Sequence, residues 1–86
     1  MSQDQQKIAA EILRLTDGRG PTASICPSEV ARSLSENWRP LLGAVRREAA
    51  LLAEAGDIEI LRKGRPVPPA DVRGVIRLRR RRPEAG

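Results

Sequence analysis

The chain has no histidine, tyrosine or phenylalanine, and one each of cysteine, methionine and tryptophan among 86 residues. Each scarcity removes a class of chemistry. Without an imidazole there is no His-based triad, no Cys/His zinc set and no helical His pair. Cys26 stands alone, so no internal disulfide can close, and a reducing cytoplasm is the expected location. Beside Pro27, Cys26 reads as a small buried residue. Ser28 has no base to activate it and reads as a helix-start hydrogen bonder. A single ring, Trp38, is too little for the aromatic platform on which single strands are stacked. Gly18-Arg19-Gly20-Pro21 lacks the Gly-Lys-Ser/Thr ending of a phosphate loop. No run is apolar enough for a signal peptide or a membrane span. The expectation is a soluble chain that is not an enzyme, with no cofactor, no metal, no small-molecule substrate and no membrane partner.

What is abundant is positive charge, and it is unevenly placed. Residues 1–61 carry seven Lys or Arg against nine Asp or Glu, whereas residues 62–86 carry nine against two. A net −2 body therefore precedes a net +7 segment, which together give the overall +5. That asymmetry points to a polyanionic partner for the C-terminal third. Fourteen of the sixteen basic residues are Arg, a bias that GC-rich coding produces by itself, so placement weighs more than number.

Hydrophobic periodicity divides the chain into one small domain over residues 1–86, with a frayed start over 1–4 and a disordered basic tail over about 80–86. From Asp4 to Thr16, Ile8, Ala9, Ile12, Leu13 and Leu15 recur at helical spacing, and Gly18 lies just beyond the expected end. Thr22 to Ile25 reads as a short extended segment. Pro27 suits the first turn of a second helix, with Glu29 at its positive end and Val30, Ala31 and Leu34 inward. Ser35-Glu36-Asn37 is the turn, and Asn37 is the expected N-cap of a third helix that holds Pro40 in its first turn and ends at Gly56.

On the third helix a wheel places Leu41, Leu42, Val45, Ala49 and Leu52 on one side, flanked by Ala44, Leu51 and Ala55. Arg39, Gly43, Arg46, Arg47 and Ala50 fall on the other. Glu48 breaks the pattern inside the apolar arc, which calls for a leaky margin or an arginine partner. Two strand-like segments follow, Asp57 to Leu61 with Ile58 and Ile60 inward, and Val75 to Arg79 with Ile76 and Leu78 inward. Between them residues 62–74 form a basic, proline-containing wing. Its three prolines exclude regular strand through the middle, and Pro69 to Val72 has room for one helical turn.

The order is helix, short strand, helix, helix, strand, wing, strand. It specifies a mainly α winged helix-turn-helix with a small β-hairpin: three helices plus a two- or three-stranded antiparallel wing. The candidate duplex-DNA contacts are Arg39, Arg46 and Arg47 on the third helix, Lys63 and Arg65 at the wing, and Arg77 and Arg79 on the last strand. The arginines 80–82 continue that basic run. Each group has a plainer reading: a solvated helix face, a hairpin charged against edge pairing, a solubilising tail. Trp38 reads as a structural clamp between helices, with an exposed partner anchor as the alternative. The expected function is weak, phosphate-dominated DNA binding, with a possible role in transcription. The alternative is a winged-helix module that binds another protein. The oligomeric state is left open.

Cys26-Pro27-Ser28-Glu29-Val30-Ala31-Arg32, Trp38-Arg39, Val45-Arg46, Gly56 and Gly74-Val75-Ile76-Arg77 together resemble the small bacterial domain of unknown function 3253 family. The resemblance spans about Ile8 to Arg79 and implies a winged-helix-like fold. It brings no established activity and therefore no functional residue.

Overall fold

A computed structural model describes residues 3–20 and 22–81. Helix α1 spans Gln3–Arg19 and α2 spans Pro27–Leu34. A 3-10 turn, Arg39–Leu41, runs directly into α3, Leu42–Glu54. Strands β1 (Ile58–Arg62), β2 (Arg65–Val67) and β3 (Arg77–Arg80) form one antiparallel sheet in the order β2-β1-β3. Three helices carrying a three-stranded antiparallel sheet give a winged-helix-like layout, the fold class read from the sequence. No helix among the described residues is long and apolar enough to cross a membrane.

The core is the meeting of the predicted apolar faces. Ile8 and Ile12 of α1, Val30 and Ala31 of α2, Val45 and Ala49 of α3, and Ile58, Ile60, Ile76 and Leu78 of the sheet side are all buried. Each buried Ile or Leu removes enough apolar surface to contribute about 1.5–3 kcal/mol. Val45 and Ala49 are one turn apart, so α3 presents a single stripe to the interior and leaves Arg39, Gly43 and Arg47 exposed behind it. Leu51, placed on the flank of the stripe, is 56 % exposed. Glu48 is half-buried without a hydrogen-bond or ion-pair partner among the described residues, which makes its position a water-reachable margin.

Several boundaries differ from the sequence reading, each for a local reason. Helix α1 passes Thr16 and Gly18 to reach Arg19. The Thr16 hydroxyl donates back to the Ile12 carbonyl at 2.7 Å, so this residue is satisfied inside the helix. Gly20, at φ +82°, supplies the left-handed residue instead, and its N–H bonds to the Thr16 and Asp17 carbonyls. Asn37 does not cap α3: the Ser35 hydroxyl accepts its N–H, Trp38, already helical at φ −84°, caps the 3-10 turn, and Leu41 precedes α3. Pro40 does sit in the first turn. Gly56, at φ +87°, closes α3 with the paired Gly56-to-Ala53 and Asp57-to-Leu52 bonds of a Schellman motif.

The short first strand is reduced to one bridge, Ile25 against Leu78. The wing, conversely, holds more strand than its prolines suggested. Pro66 lies in β2, opposite Leu61, because β2 is an edge strand on which a missing N–H need not break a ladder. Arg62 pairs with Arg65 across a two-residue turn in which Lys63 (φ 52°) and Gly64 (φ 79°) both take positive φ, as a type I′ hairpin requires. The expected frayed start and basic tail fall mostly on residues 1–2 and 82–86, outside the described residues. Asp4 is helical, and Arg80 closes β3.

Candidate nucleic-acid interface

Three elements carry exposed cations. The outer face of α3 presents Arg39, Gly43 and Arg47, all exposed. Side chains on a helix lean toward its N-terminus, and the Arg47 guanidinium accordingly lies 3.5 Å from where a Gly43 Cβ would stand. The β1–β2 turn carries Lys63 and Arg65, also exposed. The segment 72–75 joins these two regions. Gly74 and Val75 line a cleft of about 640 Å³ with Lys63 and Gly64, and another of about 360 Å³ with Trp38, Leu42 and Arg46.

Arg46 builds that junction. Its Nη1 donates to the Val72 carbonyl at 2.7 Å and to the Gly74 carbonyl at 2.8 Å, tying the loop to α3. Arg62 fastens the same loop from β1. Its guanidinium donates to both Asp71 carboxylate oxygens, at 2.7 and 3.1 Å, and to the Asp71 carbonyl at 3.1 Å. The Arg62 hydrogen bonds hold the Asp71 carboxyl below its ordinary value, and the Asp71 partnership raises the Arg62 guanidinium.

The seven predicted contact residues therefore separate into two groups. Arg39, Arg47, Lys63 and Arg65 are exposed, and their side chains make no hydrogen bond or ion pair among the described residues. Arg46, Arg77 and Arg79 are engaged by the fold. The Arg77 guanidinium donates to the Ser24 hydroxyl at 2.7 Å and carbonyl at 3.0 Å, and lies 4.0 Å from Glu29. Arg79 pairs at 2.8 Å with Glu59, directly opposite it on β1. Arg80, within the expected basic run, pairs with Asp17 at 2.9 Å.

Glu29 shows how thoroughly the carboxylates are used. It accepts the Cys26 N–H at 2.8 Å, which satisfies the start of α2, and the Arg19 guanidinium at 2.7 Å. Ser28 is a helix-start hydrogen bonder, its hydroxyl 3.1 Å from the Cys26 sulfur, while Cys26 itself is half-buried.

Two arginines join the exposed group that the sequence reading did not single out. Arg73 projects from the tethered loop, and Arg32 from α2. The guanidinium carbon of Arg32 lies 4.6 Å from the centre of the Trp38 ring, and that of Arg39 lies 4.7 Å from it. Trp38 is half-buried and packs on the core edge, as the structural reading expects, while also carrying both cations. Arg32 was hidden because a wheel drawn on α3 alone cannot show which α2 residue faces its cap.

The model of one family, described as a protein of unknown function (DUF3253), matches residues 5–81. The chain belongs to the DUF3253 family. The match takes in α2, α3, the wing and β3, so every described residue of the candidate interface lies within the family domain. No curated protein matches the chain.

Proposed function

We propose that this DUF3253 domain binds duplex DNA, weakly and chiefly through phosphates. One observation carries the reading. Arg39 and Arg47 on the outer face of α3, Arg73 on the tethered loop, and Lys63 and Arg65 at the hairpin turn are exposed with no carboxylate in ion-pair contact among the described residues. Four carboxylates of the fold are engaged by other arginines: Asp71 by Arg62, Glu59 by Arg79, Glu29 by Arg19 and Asp17 by Arg80. Gly43, without a side chain between the two helix arginines, favours close approach of the backbone to a groove wall. This role belongs in the bacterial cytoplasm, on or near the chromosome, with transcription as its setting.

The test is fluorescence anisotropy of a random-sequence 20-base-pair duplex over a range of salt concentrations. Three to five engaged phosphates give a log–log salt slope of about −3 to −4.5. Absence of binding at low salt, or a slope near zero, overturns the proposal. A second reading, a protein-interaction module, rests on Val75, which is 87 % exposed between two clefts. That mode would show little salt dependence.

A further inference from the structure

In the Arg32–Trp38–Arg39 cluster two guanidinium groups share one ring, and neither is in ion-pair contact with a carboxylate among the described residues. Five other arginines pair with a carboxylate: Arg14 with Glu11, Arg19 with Glu29, Arg62 with Asp71, Arg79 with Glu59, Arg80 with Asp17. Arg32 and Arg39 instead share a ring. Their guanidinium carbons lie 4.6 and 4.7 Å from its centre, so the two charges are within about 9.3 Å of each other, the sum of those distances. Contact with an indole face uses the π surface of a guanidinium and leaves its in-plane N–H donors available. Neither side chain makes a hydrogen bond or ion pair among the described residues.

We infer that Arg32 and Arg39, splinted by Trp38, clamp neighbouring phosphates of one strand of a duplex. The inference rests on the DNA-binding reading and gives it a defined contact. Phosphates on one strand rise by only ~3.4 Å each along the helix axis, and lie farther apart than that through space because the backbone winds, so two cations separated by no more than this bound can reach neighbouring phosphates of the strand. The surrounding open cations, Arg47 and Arg73 among them, extend the same sign of charge beyond the cluster, which favours a regular polyanion over an isolated carboxylate. The splint also has an entropic role. Two long side chains that would otherwise lose rotamer freedom on docking are already restricted by the ring, whose position is fixed by packing against the core.

Trp38 is the sole tryptophan in a chain without tyrosine, so its emission reports on this cluster alone. Titration of the full chain with the 20-base-pair duplex should shift that emission along the same isotherm as anisotropy. Arg32→Gln and Arg39→Gln should each reduce the steepness of the salt slope by about 0.9, one phosphate apiece. Trp38→Leu keeps both charges and an apolar side chain, so it should weaken binding about three- to tenfold with the slope unchanged. If that variant does not fold, the two arginine variants decide the matter. Duplex binding with silent Trp38 emission and full slopes in both arginine variants overturns the clamp and leaves the DNA reading intact. No duplex binding in any condition overturns both. Polyglutamate bound as tightly as the duplex, with the same emission shift, overturns the assignment to phosphates.

Discussion

Replacing Arg46 should damage the wing, whereas replacing its neighbour Arg47 should damage only contact with the polyanion. Both were candidate DNA contacts by sequence, one residue apart on the same helix face, yet the fold uses them differently. Arg46 donates two charge-assisted hydrogen bonds, at 2.7 and 2.8 Å, to the carbonyls of Val72 and Gly74. Bonds of this type contribute about 1.5–3 kcal/mol each when shielded from water. Here Gly74 is exposed and Val72 only half-buried, so water replaces much of what is lost. A total of about 1–2 kcal/mol for Arg46→Gln is the reasonable magnitude. For a domain of this size that lowers Tm by roughly 4–8 °C per kcal/mol. Hydrogen exchange should locate the loss in residues 68–76, since Arg62 then holds the loop alone. In the binding assay Arg46→Gln should reduce affinity through misplacement of Arg73, together with the loss of Tm and of exchange protection that marks a tether. Arg47→Gln should leave Tm within about 2–4 °C, as expected for an exposed substitution, and make the slope shallower by about 0.9. The tether account is refuted if Arg46→Gln leaves Tm and exchange unchanged and makes the slope shallower by that same amount.

Three further outcomes follow from the packing and turn geometry. Ile12 is fully buried between helices, so Ile12→Ala should cost about 2–5 kcal/mol in urea unfolding, and a loss below about 1 kcal/mol would contradict the core described. Gly64 sits at φ +79° in the hairpin turn, so Gly64→Ala should cost about 1–2 kcal/mol, while Lys63→Gly, relieving φ 52°, should be neutral or stabilising; equal losses would dismiss the turn assignment. Glu11 is held near a pKa of about 2, below the ordinary 4.5, by the Arg14 hydrogen bonds first and the Ser33 hydroxyl second. A lowered folded pKa stabilises the fold above about 4.5 and that contribution disappears as pH falls toward about 2. Because Arg14 is 66 % exposed, the contribution is only about 1 kcal/mol after screening, and Glu11→Gln should remove that part of the acid-side slope in thermal melts.

Much of this fold was legible because its apolar residues are strictly periodic. Ile8 and Ile12, Val30 and Ala31, Val45 and Ala49, and Ile76 and Leu78 each announce the buried face of their element, and all are buried. The glycine rule held at Gly56 and misplaced the end of α1, because Gly18 fits comfortably within a helix that Gly20 closes. Strand β2 was missed for a comparable reason. Proline reads as a strand breaker unless the strand is known to lie at an edge, and edge position is a property of the assembled sheet, not of Arg65-Pro66-Val67. Similarly, nothing local to Thr22–Ile25 indicates that its pairing shrinks to one bridge with Leu78.

The candidate site was less legible, and the reason is where the carboxylates go. The sequence separates a net −2 body from a net +7 C-terminal segment, as though the segment's charge were all available to a partner. Folding joins the two. Glu29 and Asp17 of the body lie against Arg77 and Arg80, and Glu59 pairs with Arg79 across the β1–β3 ladder. Arg62 is engaged by Asp71 from within its own segment. What stays open around the wing and α3 is a different set: Lys63, Arg65 and Arg73 from the basic segment, together with Arg32, Arg39 and Arg47 from the part that nets negative. Net charge along a chain is conserved on folding, but its availability is not, since each internal ion pair withdraws one cation from the surface that a polyanion meets. The salt slope therefore has to be reckoned from the cations the fold leaves unpaired: all six on phosphates would set a limit of about −5.4, and three to five of them engaged at once give about −3 to −4.5.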